Sequence, residues 1–109
     1  MSRPNVSAHV SFTAPTTVAL TRSDGVAEVI RNGAGDYSLV FPDGQAVEGA
    51  EYHLKVTPIG TTPLIAQLGD VGGPAPGAAT GGSRAVQVLI FDEAGAPADA
   101  DFLFAATRV

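Results

Sequence analysis

The run Asn32-Gly33-Ala34-Gly35-Asp36-Tyr37-Ser38-Leu39-Val40-Phe41 decides the fold of this chain. A turn punctuated by two glycines feeds a segment with strict alternation. Tyr37, Leu39 and Phe41 fall on one side, and Asp36, Ser38 and Val40 on the other. A side-chain period of two defines a strand with one face turned to a core. The glycines invite a phosphate-loop reading, but such a loop needs a helix N-terminus after it, and here a strand follows. The run is therefore read as a turn that sets strand register.

The same alternation recurs on both sides of this run. Before it, Val6, Ala8, Val10 and Phe12 alternate with Ser7, His9 and Ser11, and Val18 and Leu20 with Thr17, Ala19 and Thr21. Ser23-Asp24-Gly25 is a turn signal, and the β-branched Val26, Val29 and Ile30 suit a third strand over 26–31. After it, Pro42-Asp43-Gly44 ends the strand. Residues 51–58 then place Tyr52, Leu54 and Val56 inward and His53, Lys55 and Thr57 outward. A short strand over 64–68 leads into residues 69–83, which are almost entirely Gly, Ala and Pro and read as a long surface loop. Residues 84–92 are apolar on both faces, with Val86, Val88 and Ile90 against Leu89 and Phe91. The acidic turn over 92–99 precedes a last strand over 101–108, with Phe102, Phe104 and Ala106 opposed to Leu103, Ala105 and Thr107. An amphipathic helix over 98–107 is the competing reading. It is set aside because Asp92-Glu93-Ala94-Gly95 signals a turn that pairs this segment with the preceding strand.

About eight short strands at roughly ten-residue spacing, with no helix, predict an all-β antiparallel sandwich of jelly-roll type. The expected core comprises Tyr37, Leu39, Phe41, Tyr52, Leu54, Val56, Val88, Ile90, Phe102 and Phe104. With 109 residues the chain is read as one domain over 1–109. Thirteen glycines and eight prolines agree with frequent turns.

Charge and composition narrow the function. The net charge is −5 and the six Lys and Arg residues are scattered, so there is no footprint for nucleic acid or for an anionic membrane surface. No run of ~20 apolar residues suggests membrane insertion, and no basic-then-apolar leader stands at the start. The absence of cysteine excludes disulfides, thiolate metal sites and thiol nucleophiles. Charged residues make up only 16% of the chain, which implies neutral or apolar surface that self-association would cover.

The polar residues suggest no catalytic or metal centre and no cofactor. His9 and His53 fall on outward strand positions with no converging carboxylate or nucleophile. Asp92, Glu93, Asp99 and Asp101 cluster near the last turn. Their spacing matches no calcium loop, and they read as a solvated turn. Tyr37 and Tyr52 could offer sugar-stacking platforms if exposed, but their strand phase places them in the core.

Three segments carry a family resemblance. They are Val29-Ile30-Arg31-Asn32-Gly33-Ala34-Gly35-Asp36-Tyr37-Ser38-Leu39-Val40-Phe41, then Ala50-Glu51-Tyr52-His53-Leu54-Lys55-Val56-Thr57, then the hairpin from Val86-Gln87-Val88-Leu89-Ile90-Phe91 through Asp99-Ala100-Asp101-Phe102. In this order they resemble the small β-sandwich modules of tailed-phage virion proteins, found at tail-fibre tips and on capsid surfaces. The pattern is also similar to the trimeric globular heads that follow collagen-like stalks. The resemblance implies a homotrimer located in the virion and assembled in the host cytoplasm. Its subunit contact would fall on the two-sided strands, with Leu89, Phe91 and Leu103 as candidates. A strand that begins by Val6, with no shaft before it, points to a head-decoration or spike protein binding capsid or tail proteins of its own particle. The alternative is a receptor- or carbohydrate-binding tail module that engages a host surface glycan, with the 69–83 loop as its first candidate site.

Overall fold

The computed structural model describes residues 5–42, 52–74 and 84–108. Eight strands follow one another: β1 (Asn5–Thr13), β2 (Thr17–Asp24), β3 (Glu28–Gly33), β4 (Asp36–Val40), β5 (Tyr52–Ile59), β6 (Leu64–Pro74), β7 (Arg84–Asp92) and β8 (Asp101–Arg108). They form two four-stranded sheets, β2-β1-β8-β5 and β3-β4-β7-β6, in which every neighbouring pair is antiparallel. The pairing is nested. The first and last strands pair with each other in one sheet, and β4 pairs with β7 in the other. β5 and β6 then add to the far sides of β8 and β7. The two sides of the sandwich are closed where β2 meets β3 and β5 meets β6.

The alternation read from the sequence is what fills the space between the sheets. Val6, Ala8 and Val10 of β1 and Phe102, Phe104 and Ala106 of β8 meet Tyr37 and Leu39 of β4 and Val86, Val88 and Ile90 of β7. Val26 before β3, Phe41 just beyond β4, and Tyr52 complete the buried set. Leu54 and Val56 pack against this core while remaining partly exposed, because β5 is an edge strand. The Tyr37 and Phe102 rings cross between the sheets at 5.2 Å, and Phe41 and Phe104 at 6.5 Å, tilted as aromatic quadrupoles prefer. Burying a large apolar side chain contributes roughly 1.5–3 kcal/mol, so these few rings dominate the core.

Three features of the sequence reading are corrected. First, β4 is buried on both faces, since outward-pointing Ser38 and Val40 are only 4% and 5% exposed. Val40 and Ala85 form a second small cluster with Ile30 on the outside of the sheet. β4 lies between β3 and β7, so its outward side chains are flanked on both sides. Second, the strand expected over 64–68 runs on to Pro74, with bulges after Leu68 and Val71. Val71 pairs with Val86, and Gly73 with Ala85. The backbone hydrogen bonds offered by β7 hold this glycine-rich run in the sheet, although its own side chains give little signal. The rest of the expected loop, 75–83, lies outside the described residues. Third, Asp99 and Asp101 are not solvated turn residues, as set out below.

The turn of the opening run is the two-residue link Ala34-Gly35 between β3 and β4. Gly35 has φ +65°, in the left-handed region. It is also an approach point. A Cβ there would lie 2.4 Å from the Ile90 carbonyl oxygen and 2.8 Å from the Ala98 amide nitrogen. The Ile90 amide donates to the Gly35 carbonyl at 2.8 Å, and the Ala98 amide to the Ile90 carbonyl at 3.0 Å. β7 therefore continues past the end of β4 by pairing first with the turn and then with the returning β7–β8 loop.

Candidate functional site

The β7–β8 loop organises one end of the sandwich. Asp92 folds the loop tip by accepting the amides of Ala94 and Ala96 on one carboxylate oxygen, at 2.9 and 3.0 Å. Pro97 bridges back to Phe91. The chain then delivers Asp99 between the sheets. Arg31 donates to Asp99 from Nε at 3.0 Å and from Nη2 at 2.7 Å, a two-pronged pair. The Tyr37 hydroxyl donates to the same carboxylate at 2.6 Å, and the Gly35 amide at 3.0 Å. The hydroxyl oxygen of Tyr37 in turn accepts the Ala100 amide at 3.3 Å. Arg31 also lies over the Phe12 ring, 5.8 Å from its centre, and the Phe12 amide donates to Asp101 at 2.8 Å.

Electrostatics follow from these partners. The hydrogen-bonded Arg31 guanidinium holds the Asp99 carboxyl down at about 2, helped by Tyr37 and the Gly35 amide and opposed by burial. Burial, reinforced by the neighbouring carboxylate, pushes the Tyr37 hydroxyl well above its ordinary range, so it stays a proton donor. Both carboxylate oxygens of Asp99 are occupied by donors of the same chain. The group ties β3, β4 and the β7–β8 loop together. Asp99 is thus an internal ion-pair partner and Asp101 a backbone acceptor. A solvated acidic turn was expected because the sequence does not show the loop folding back along β7. Among the described residues no group of three or more His, Cys, Asp or Glu could hold a metal ion, and no helix is long and apolar enough to cross a membrane.

The side chains left over for contact lie on the two outer faces. On the β3-β4-β7-β6 sheet, Ile65 is opposite Phe91 and Gln67 opposite Leu89, and Ile65 is 55% exposed. Below them runs a polar strip. The Asp70 amide donates to Gln87 Oε1, while Gln87 Nε2 and Asn32 Nδ2 both donate to Asp36. Asn32 Nδ2 also donates to buried Ser38 at 2.9 Å. On the β2-β1-β8-β5 sheet, Arg22, His9, Leu103 and Thr57 form one cross-strand row. His53 and Lys55 stand exposed on β5 of the same sheet.

The three candidate contact residues are therefore divided. Leu89 and Phe91 are half-buried on one outer face, and Leu103 is 44% exposed on the opposite one. No family model matches the chain, and neither the curated proteins nor the solved structures gave a match.

Proposed function

We propose that this chain is a structural protein of a phage or phage-like particle, a homotrimeric head-decoration protein that binds the capsid surface. The observation that supports this reading is the apolar group Ile65, Leu89 and Phe91 standing outward on a two-sheet scaffold. Contacts between identical subunits are more apolar than ordinary surface. In this proposal Leu89 and Phe91, joined by Ile65, contribute this face to the subunit contact. The mechanism is mechanical. Binding only to the assembled lattice stabilises that lattice by mass action.

Light scattering on the purified chain tests the trimer. A trimer mass is expected, falling to a monomer in Ile65→Asp, which places an unpaired charge in the contact. A wild-type chain that stays monomeric at high concentration, or an Ile65→Asp chain that stays trimeric, overturns the assignment. Co-sedimentation of the chain with assembled capsids, and its failure to sediment alone, tests the attachment.

A further inference from the structure

The opposite outer face carries a feature that the residues proposed for the subunit contact do not form. Ser7, His9, Arg22, Leu103 and Ala105 line a shallow depression of about 300 Å³ open to solvent. The register explains its shape. Ser7 pairs with Ala105 in the row beside His9 and Leu103, so two small residues lie next to larger ones. A bulge adds to this. His9 pairs with Arg22 while Val10 pairs with Leu20, leaving Thr21 as the extra residue. Bulges increase the local twist and re-aim neighbouring side chains.

The bulge also fixes the histidine. The Thr21 hydroxyl donates its single proton to the His9 carbonyl, at 3.2 Å. Toward His9 Nδ1 the same oxygen, in hydrogen-bond contact, can therefore only accept. With the Thr21 proton on the His9 carbonyl, Nδ1 is the protonated nitrogen, and in the neutral ring Nε2 is an acceptor. No hydrogen bond among the described residues engages Nε2, and Arg22 makes no ion pair there. Asp24, which has an interaction of its own, stands one row away opposite Ser7 and does not line the depression.

We infer that this depression binds a small hydroxylated carboxylate, of the kind presented by an acidic sugar residue. Arg22 takes the carboxylate through its planar donors. His9 Nε2 accepts from a hydroxyl of the ligand, Ser7 supplies a second hydroxyl partner, and Leu103 with Ala105 covers the apolar edge of the ring. A neutral sugar lacks the group that Arg22 recognises, and a simple carboxylate lacks the hydroxyl that His9 recognises. The site lies on the face opposite Ile65, so it stands or falls independently of the trimer contact.

The test is an NMR titration of the isotope-labelled full chain at a pH above the histidine range, with glucuronate, glucose and acetate as probes at matched ionic strength. Glucuronate is expected to give saturable shifts at residues 7–9, 21–22 and 103–105, with glucose and acetate at least ~tenfold weaker. Arg22→Gln is expected to weaken glucuronate by ~tenfold or more, and Thr21→Val, which releases the imidazole, by a smaller factor. Both positions are exposed, and unchanged spectra elsewhere verify folding. No saturable shift with glucuronate, equal shifts with glucose or acetate, or an Arg22→Gln chain that binds like wild type overturns the site.

Discussion

The end of the sandwich gathered around Asp99 and its two broad outer faces make opposite use of polar atoms. At the tied end the carboxylate accepts from a guanidinium, a hydroxyl and a backbone amide, and nothing is left over. On the outer face of the β2-β1-β8-β5 sheet, Arg22 and the second nitrogen of His9 have no partner among the described residues. Saturated groups hold a fold together, because removing one member strands the others away from water. Unsaturated groups on a rigid face are available to something outside the chain. Stability should therefore be concentrated at the tied end, and substitutions should divide accordingly.

Gly35→Ala should give the largest loss. Both the positive φ and the 2.4 Å approach to the Ile90 carbonyl oppose a side chain, and backbone rather than a flexible side chain would have to move. About 3 kcal/mol or more is expected in chemical denaturation. Gly95 is the control, with φ +87° but open space around it. Gly95→Ala should cost only about 1 kcal/mol, from conformation alone. If the two variants lose the same amount, the close packing of the turn against the β7–β8 loop is wrong.

Asp99→Ala should come next, at about 2–3 kcal/mol, because it leaves the Tyr37 hydroxyl and the Gly35 amide without their acceptor. The same group gives a pH dependence. Its folded pKa of about 2 lies below the ordinary carboxylate value of about 3.9, so its contribution is complete above the unfolded value. That contribution is lost as pH falls from about 4 through about 2. Screening at the partly exposed pair keeps it on the order of 1–2 kcal/mol. Asp99→Asn should flatten stability over this interval relative to wild type. An unchanged acid profile in that variant would show that other carboxylates carry the acid sensitivity.

These two regions were also unequally legible in the sequence. The alternation of Tyr37, Leu39 and Phe41, and of Phe102 and Phe104, fixes which side chains face inward, since register permits no other assignment once one face is buried. The Arg31–Asp99 pair spans 68 positions and was hidden. It depends on the β7–β8 loop returning beside β7, and that return is made by backbone hydrogen bonds to Ile90 and Asp92 that carry no residue signature. One clue was present. An inward tyrosine hydroxyl needs a partner, and Tyr37 had none in its own strand. The strand portion of 69–74 was missed for a similar reason, because glycine contributes pairing without a side-chain pattern.

The smallest expected effect on stability is at Ile65. Its side chain is more than half exposed and stands opposite Phe91 at the edge strand β6, so Ile65→Asp removes little buried area and strands no polar group. A change within about 0.5 kcal/mol in denaturation is expected. The contrast with Gly35 is the informative part, since both positions contact the environment of β7, one through its backbone and one through its outer face. Because Ile65→Asp is also the variant that should dissociate the trimer, denaturation must be followed at a concentration where wild type and variant are both monomeric. A loss at Ile65 comparable to that at Asp99 under those conditions would mean that the outer face is part of the folded core, and the separation between a tied end and free faces would fail.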